Sequence, residues 1–560
     1  MRKLHLMTNI KNYIFPKFLD YKVYHFKLWE QYYKLKNVFL LGKCFLMSFM
    51  KHFMNVYVKG KNKDSTSIKS RGFLSKSLTE NIEFFKREFG ETADLSIKQL
   101  NIENVPSALI TIGGMVDKTA LTNSVMIPIS QAKIQGNTSQ EKYQYIRDNI
   151  VLASDQMQVS NFDDAFNMIM SGFALLAMDG CDCMLALGVQ GFSFRSIAEP
   201  ASEMMQRGSR EGFVEPLMIN MTLIRRRIKS TELKFELTQV GSISKTSVCL
   251  CYLENKVSKE VINKVREKLS GVDLESIMES GYIIPYLEDQ GDFSLFSSVG
   301  MTERPDTVCG KISEGRIAIL VDGTPNVLIV PYLFVEYFQH LDDYSMHTYF
   351  ATFTRWLKYF AFLLSTLLPG LYVGISTFNP EILPGPILSK IALAVGTTPF
   401  SLMFETILIH LIYEIMREAG LRIPRPLGHA VSIVGALVIG ETAVSSGLIG
   451  GPTLMVVALT AISSYVIPNL YEPISILKFA FIIAGGLLGI WGIMILFTLV
   501  LVNICSKNSY GVPFTSPLAP FNIFAMRDVL VRSGWSFLSK KRIRVQDLPG
   551  SEVRDRNERE

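Results

Sequence analysis

Hydrophobic and polar positions change rhythm three times along this chain. Residues 63–77 are polar and predict a linker. Leu78–Phe89 carries apolar residues at helical spacing, and the short apolar runs Ala108–Ile112 and Val125–Ile129 predict strands. Phe162–Met170 predicts a helix, capped by Asn161 or a neighbour. Phe173–Ala177 and Met184–Val189 flank an Asp179-Gly180 turn, which predicts a hairpin. The device returns at Arg316–Val321, Asp322-Gly-Thr-Pro325 and Val327–Val330, and each hairpin follows a glycine, Gly172 or Gly315. Two related α/β subdomains follow as the expectation, over 78–195 and 196–345.

Beyond residue 345 the alternation stops. Residues 356–505 hold only twelve Asp, Glu, Lys or Arg, and 431–477 hold two, Glu441 and Glu472. A water-exposed surface cannot be built from so few charges, whereas a bilayer core demands their scarcity. Five apolar segments stand out: Trp356–Phe378, Ile387–Tyr413, Val431–Gly450, Pro452–Pro468 and Phe479–Cys505. The fold class expected is therefore an α/β region of two subdomains, then an all-α transmembrane domain over 346–505. About four to six membrane segments are expected, one of them re-entrant, followed by a tail over 506–560.

Basic residues set the expected orientation. Arg417, Arg422 and Arg425 mark one connection as cytosolic, and Lys507, Lys540, Lys541, Arg542 and Arg544 mark the tail likewise. Five crossings would put the tail outside, so four crossings and one re-entrant segment are expected. Pro452–Pro468, short and bounded by Gly450-Gly451, is the segment expected not to cross. Pro399 and Glu405 predict a kink or break in the second segment.

Composition changes the picture at the N-terminus. Residues 1–62 form a basic, aromatic extension without the apolar run and cleavage site of a signal peptide. Two readings stay open: a membrane-surface helix, or translation starting at Met50 or Met54. The rest of the chain is mildly acidic, which leaves no general nucleic-acid footprint. Cys181/Cys183 and Cys249/Cys251 are spaced too tightly for a usual zinc site and are expected to be buried, reduced thiols. No phosphate-binding glycine loop, dinucleotide fingerprint or His-Glu-x-x-His occurs, so no cofactor, metal or catalytic role is expected.

Two groups of residues are candidates for function. Glu441, with Ser445, Ser446, Thr460, Ser463 and Ser464, is a candidate ion path, because an acid and hydroxyls on small-residue membrane helices can replace an ion's hydration shell. Arg207, Arg210, Glu211, Glu215, Arg225 and Arg226 are a candidate subunit contact, against the simpler reading of a solvated helix face. Gly485-x-x-x-Gly489 predicts close helix packing.

Taken in order, several stretches resemble the A subunits of GerA-type spore germinant receptors of endospore-forming bacteria. They are Arg195-Ser-Ile-Ala-Glu-Pro200, Arg207-Gly-Ser-Arg-Glu-Gly-Phe-Val-Glu215, Asn220 with Leu223-Ile-Arg-Arg-Arg227, and Thr302-Glu-Arg-Pro-Asp306. They continue with Glu314-Gly-Arg316, Val321-Asp-Gly-Thr-Pro325, Asp342-Asp-Tyr344, Arg417-Glu-Ala-Gly420, Ile433-Val-Gly435 and Ser509-Tyr-Gly-Val-Pro513. Ser209, where the family usually has Pro, and Leu295–Ser298 depart from the pattern. The resemblance implies a multi-pass subunit of the spore inner membrane with cytosolic N-terminal region and tail. It implies partners too: a transporter-like B subunit that holds the nutrient, a lipoprotein C subunit, and further A subunits in a pentamer enclosing an ion path. The alternatives are a stage V sporulation AF-type paralogue and a membrane scaffold or sensor without its own pore. A secondary transporter would show an internal repeat within 356–505, and none is visible.

Overall fold

The computed structural model describes residues 72–151, 155–191, 207–289, 294–423, 440–538 and 543–553, with a few single positions between. The extension 1–62, the start of the linker and positions 431–439 of the third apolar segment lie outside the described residues.

Two five-stranded antiparallel sheets share one topology. The first comprises β1 (Leu95–Ile102), β2 (Val105–Ile112), β3 (Gln156–Val159), β4 (Ala174–Met178) and β5 (Met184–Leu187), in the order β1-β2-β4-β5-β3. The second comprises β6 (Leu233–Val240), β7 (Thr246–Leu253), β8 (Gly300–Thr302), β9 (Ile317–Val321) and β10 (Val327–Val330), in the order β6-β7-β9-β10-β8. Helices α1 (Leu78–Phe89) and α2 (Phe162–Ile169) accompany the first sheet; α3 (Leu217–Arg227), α4 (Lys259–Ser270) and α5 (Pro305–Ser313) accompany the second.

The likeness extends to single hydrogen bonds. Each predicted Asp-Gly turn caps the leading helix of its own unit: Asp179 Oδ1 accepts the Leu78 N–H (3.0 Å), and Asp322 Oδ1 accepts the Leu217 N–H (2.9 Å). Asn81 and Asn220 each bond both backbone groups of the residue six positions earlier, Ser75 and Val214. Gly172 and Gly315 end α2 and α5 with φ of 88° and 86°, a region that favours glycine. Asn161 caps α2 as expected, accepting the Asp164 N–H at 2.7 Å.

One expected strand is absent. Val125–Ile129 lies in helical turns, Thr122–Met126 and Ile127–Gln131, entered through Asp117, which accepts the N–H groups of Thr119 and Ala120. A five-residue apolar run fits either state, and the upstream Asp cap with Pro128 at the second helix's start tips it to helix.

The C-terminal third is helical: α6 (Thr348–Phe378), α7 (Gly385–Thr397), α8 (Leu402–Arg422), α9 (Gly451–Tyr465) and α10 (Tyr471–Ser506). By length and apolarity, α6 and the stretch Pro468–Ser506 can cross a membrane, and α7 with α8 adds a third span if that pair, bent by 80°, counts as one. The bend falls across Pro399, where a break was expected. The fourth segment forms the 15-residue helix α9, shorter than a span.

The last segment differs from the single span expected. At Gly489 the backbone leaves helical geometry (φ 64°, ψ −145°) and α10 folds back on itself. Both its ends meet the second sheet's surroundings: Glu472 lies within electrostatic reach of Tyr337, whose hydroxyl donates to Ser297 O (2.9 Å), and Lys507 Nζ donates to neighbouring Phe296 O (2.6 Å). A straight helix of 36 residues would hold its ends about 54 Å apart. Gly485 of the expected packing motif does permit close approach, since a Cβ there would come 2.5 Å from Gly370 O. Its counterpart on α6, Gly370-x-x-x-Gly374, went unread in the sequence.

The final segment is a packed element rather than a loose tail. Tyr510, Val512, Met526, Val529, Val545 and Val553 enter the core on one face of the second sheet, with α4. The segment also grips α6. Arg355, fully buried, donates to Asp343 (2.9 Å) and to Asp528 Oδ1 (2.8 Å), while Lys358 donates to Asp343 at 3.0 Å.

Candidate functional site

A polar stripe runs along α8 inside the helical block. Glu405, Thr406 and His410 fall within successive turns and are 0%, 0% and 1% exposed, a burial that an apolar environment opposes unless partners are supplied. Glu405 Oε1 accepts the Gly450 N–H at 2.8 Å, so its carboxylate meets the start of α9. Thr406 returns its hydroxyl to Leu402 O (2.7 Å), and His410 Nδ1 lies 2.9 Å from Thr406 O. Nearer the second sheet, Glu414 accepts from Tyr471 and Lys478, and Arg417 stacks over the Tyr471 ring. The facing helix α9 contributes hydroxyls. Thr453 pairs with Tyr372 of α6 at 3.1 Å, and Tyr465 with Tyr413 of α8 at 2.9 Å.

The candidate ion-path residues separate into two groups. Thr460, Ser463 and Ser464 are buried on α9, and Thr460 and Ser464 bond carbonyls of their own helix. Glu441, Ser445 and Ser446 sit on an exposed face of the 440–446 turn, with both serines bonded one turn back. One copy of the chain therefore does not bring Glu441 to the buried hydroxyls. Glu405, which the sequence marks only as part of a break in the second segment, occupies the interior instead. Pro399 was the available signal, because a broken helix exposes a new N-terminus that favours an acid.

The candidate subunit-contact residues also divide. Arg207, Arg210 and Glu215 are exposed. Arg225 is 1% exposed and committed within the chain: it grips Asp94 of the first unit through two bonds (2.7 and 2.9 Å) and lies over the Phe235 ring. Glu211 takes Arg226 and Arg227 on its two oxygens. Burial pushes the Glu211 carboxyl up, and the two guanidiniums outweigh it, holding the group below the usual carboxylate range. Among the described residues no cluster of three metal-ligating side chains forms. Burial raises the Cys181 thiol to about 11, far from a reactive thiolate.

Paired α/β units, fastened to a block of apolar helices with a polar interior, define a membrane protein with an attached two-unit module. The chain belongs to the Bacillus/Clostridium GerA spore germination protein family, whose pattern matches residues 83–543. It is 39% identical to spore germination protein KA of Bacillus subtilis (strain 168) over 467 residues, 82% of this chain and 85% of that protein. It is 32% identical to the uncharacterized membrane protein YfkQ of the same organism, over 84% of this chain and 91% of that one. Stage V sporulation protein AF matches at 27% over 81% of this chain and 92% of its own length. Among solved structures, the N-terminal domain of the A subunit of the Bacillus megaterium spore germinant receptor GerK3 matches at 30% identity. That match covers 48% of this chain and 98% of that one, with a TM-score of 0.37.

Proposed function

We propose that this chain is the membrane subunit of a nutrient-responsive germinant receptor, and that several copies enclose an ion path opened at the start of germination. It would work in the spore inner membrane with a transporter-like B subunit and a lipoprotein C subunit, as a homo-oligomer, a pentamer on the family resemblance. The observation that carries the conducting reading is the buried polar stripe of α8, since charged and imidazole groups in a membrane interior are costly and mark ion or proton routes by default. The receptor reading is favoured over an AF-type paralogue by the identities, 39% to protein KA against 27% to protein AF. A scaffold without a pore would have little use for the stripe.

The fold of α10 supports a topology for this reading. Its limbs, residues 471–488 and 490–506, are each about 25 Å long, close to a hydrocarbon core. On this reading both limbs, α6, α8, the short α9 and the third apolar segment of the sequence, Val431–Gly450, make six crossings. An even number keeps the α/β module, over 78–345, and the C-terminal segment together in the cytosol, as the basic residues at 417–425 and 507–544 require. No re-entrant segment is then needed.

The experiment is cation flux from proteoliposomes holding this chain with its B and C partners. Nutrient addition should release entrapped potassium, and absence of flux from correctly assembled complexes overturns the reading. Cysteine labelling tests the topology: positions 489 and 379 should react from the side opposite to positions 420 and 508.

A further inference from the structure

The half-used carboxylate of Glu405 carries the inference furthest. The side chain is 0% exposed, and only one of its two oxygens is occupied. Oε1 takes the Gly450 N–H, while Oε2 has no hydrogen-bond partner among the described residues. A buried carboxylate with an open oxygen costs free energy that something must offset.

Its surroundings narrow what that can be. The turn at Gly450 brings carboxylate and hydroxyl together, since a Cβ built on Gly450 lies 3.4 Å from Glu405 Oε1 and 3.7 Å from Thr453 Oγ1. Thr453 is 1% exposed and shares its hydroxyl with Tyr372 at 3.1 Å. Glu405 also sits in the first turn of α8, at the bend from α7, and opposite the N-terminus of α9. Those helix ends favour its negative charge, but each supplies only about half a unit of fractional charge on N–H groups that point along the helix. Toward the second sheet, Glu414 already has Lys478 as its cation. The donor set is thus one carboxylate oxygen with alcohol and phenol oxygens, which suits a hard ion and not a transition metal. One carboxylate, partly offset by dipoles, cannot balance a second positive charge in a buried place.

We propose that Glu405, with the hydroxyls of Thr453 and Tyr372, forms a monovalent alkali-cation site where α6, α8 and the start of α9 meet. It deepens the conducting reading above and rests on it for its purpose: a resting place for an ion between the three helices. The buried hydroxyls of Thr460, Ser463 and Ser464 lie further along α9 from that point.

The test is thermal unfolding of the purified full-length chain in detergent. Potassium, sodium or N-methylglucamine chloride is titrated at constant ionic strength. Wild type should show a saturable rise in melting temperature with potassium or sodium and none with N-methylglucamine. Glu405→Gln keeps an acceptor for the Gly450 N–H and removes the charge. It should match wild type in N-methylglucamine and lose the alkali-dependent rise. Thr453→Val removes one ligand oxygen at nearly constant shape and should weaken apparent affinity about tenfold, equivalent to about 1.4 kcal/mol. An alkali response that survives in Glu405→Gln, or its absence in wild type, overturns the site. Should Glu405→Gln not fold, an unchanged affinity in Thr453→Val overturns it. Flux is not read in this assay, so a failed site leaves the conducting reading standing, and failed flux leaves cation binding intact.

Discussion

The two sheet units are alike in topology and in their capping bonds, and unlike in what their cores touch. The clusters of the first unit are drawn entirely from residues 74–189, on both faces of its sheet. Those of the second are completed from elsewhere. One face continues into Ala361, Ile474, Phe481 and Ile504 of the membrane helices, and the other closes over Val512, Val529 and Val553. Charge follows the same division. The second unit buries Arg225, Arg304, Arg316 and Glu336, while among the described residues Asp94 is the buried charged side chain of the first, and its partner is Arg225. One fold has thus been kept self-contained in one place and opened as a junction in the other. Buried ion pairs concentrate where elements from distant parts of the chain must be held in register.

The largest effect expected to break this comparison comes from the bond between the units. Arg225→Met leaves Asp94 buried without its cation and should cost about 3–5 kcal/mol, read as a shifted urea midpoint of the full-length protein. The double variant Arg225→Met with Asp94→Leu should recover much of that loss; additive losses would mean the pair is not the fastening. Next come the matched asparagines. Asn81→Ala and Asn220→Ala each orphan two backbone groups and should each cost about 2 kcal/mol. Hydrogen exchange should show the first loss confined to residues 72–189 and the second spreading into the membrane junction. Equal spreading from both would erase the distinction between closed and open units. The caps are worth less: Asp179→Ala and Asp322→Ala should each cost about 1 kcal/mol, within error of one another, by the same urea measurement.

Acid should give the mildest separation. Burial raises the Glu336 carboxyl, but Arg316 and Lys311 outweigh it, so its value in the folded chain lies below the ordinary 4.5. The stabilisation is then fully present above about pH 5 and drains as pH falls through the depressed folded value. In the first unit Asp148 is also depressed, but it is exposed and its Arg147 partner is about one third in solvent, so little is at stake. Lowering the pH from 6 to 4 should therefore erode exchange protection around residues 300–338 before that of β1 to β5. The opposite order would show that Glu336 gains nothing from its partners.

Features fixed by neighbouring residues were readable in the chain. Asp179-Gly180 and Asp322-Gly323 announce their hairpins because an Asp-Gly turn needs only its own backbone; the sequence shows Gly172 and Gly315 only as preceding each hairpin, and the structure adds that they end helices. The shared strand order was not readable, because pairing β2 with β4 and β7 with β9 depends on contacts across more than sixty residues. Gly485 and Gly489 look alike in sequence, yet one admits another backbone and the other reverses a helix. Spacing alone cannot tell a missing Cβ from a positive φ. In the membrane block, exposure misled: Glu441 stands alone in an apolar stretch but faces outward, while Glu405 beside polar neighbours lies fully inside.

The contribution of residues 510–553 to the second sheet has a consequence for how the protein is made. They emerge from the ribosome after every membrane helix described here, although the sheet they complete precedes those helices. That sheet must wait, one face uncovered, while the helical block of α6 to α10 is made and the chain returns to it. Its closure thereby reports that the helical block before them has folded. A chain whose helical block misfolds leaves Val512, Val529 and Val553 without their partners, as exposed apolar surface of the kind that drives aggregation and proteolysis.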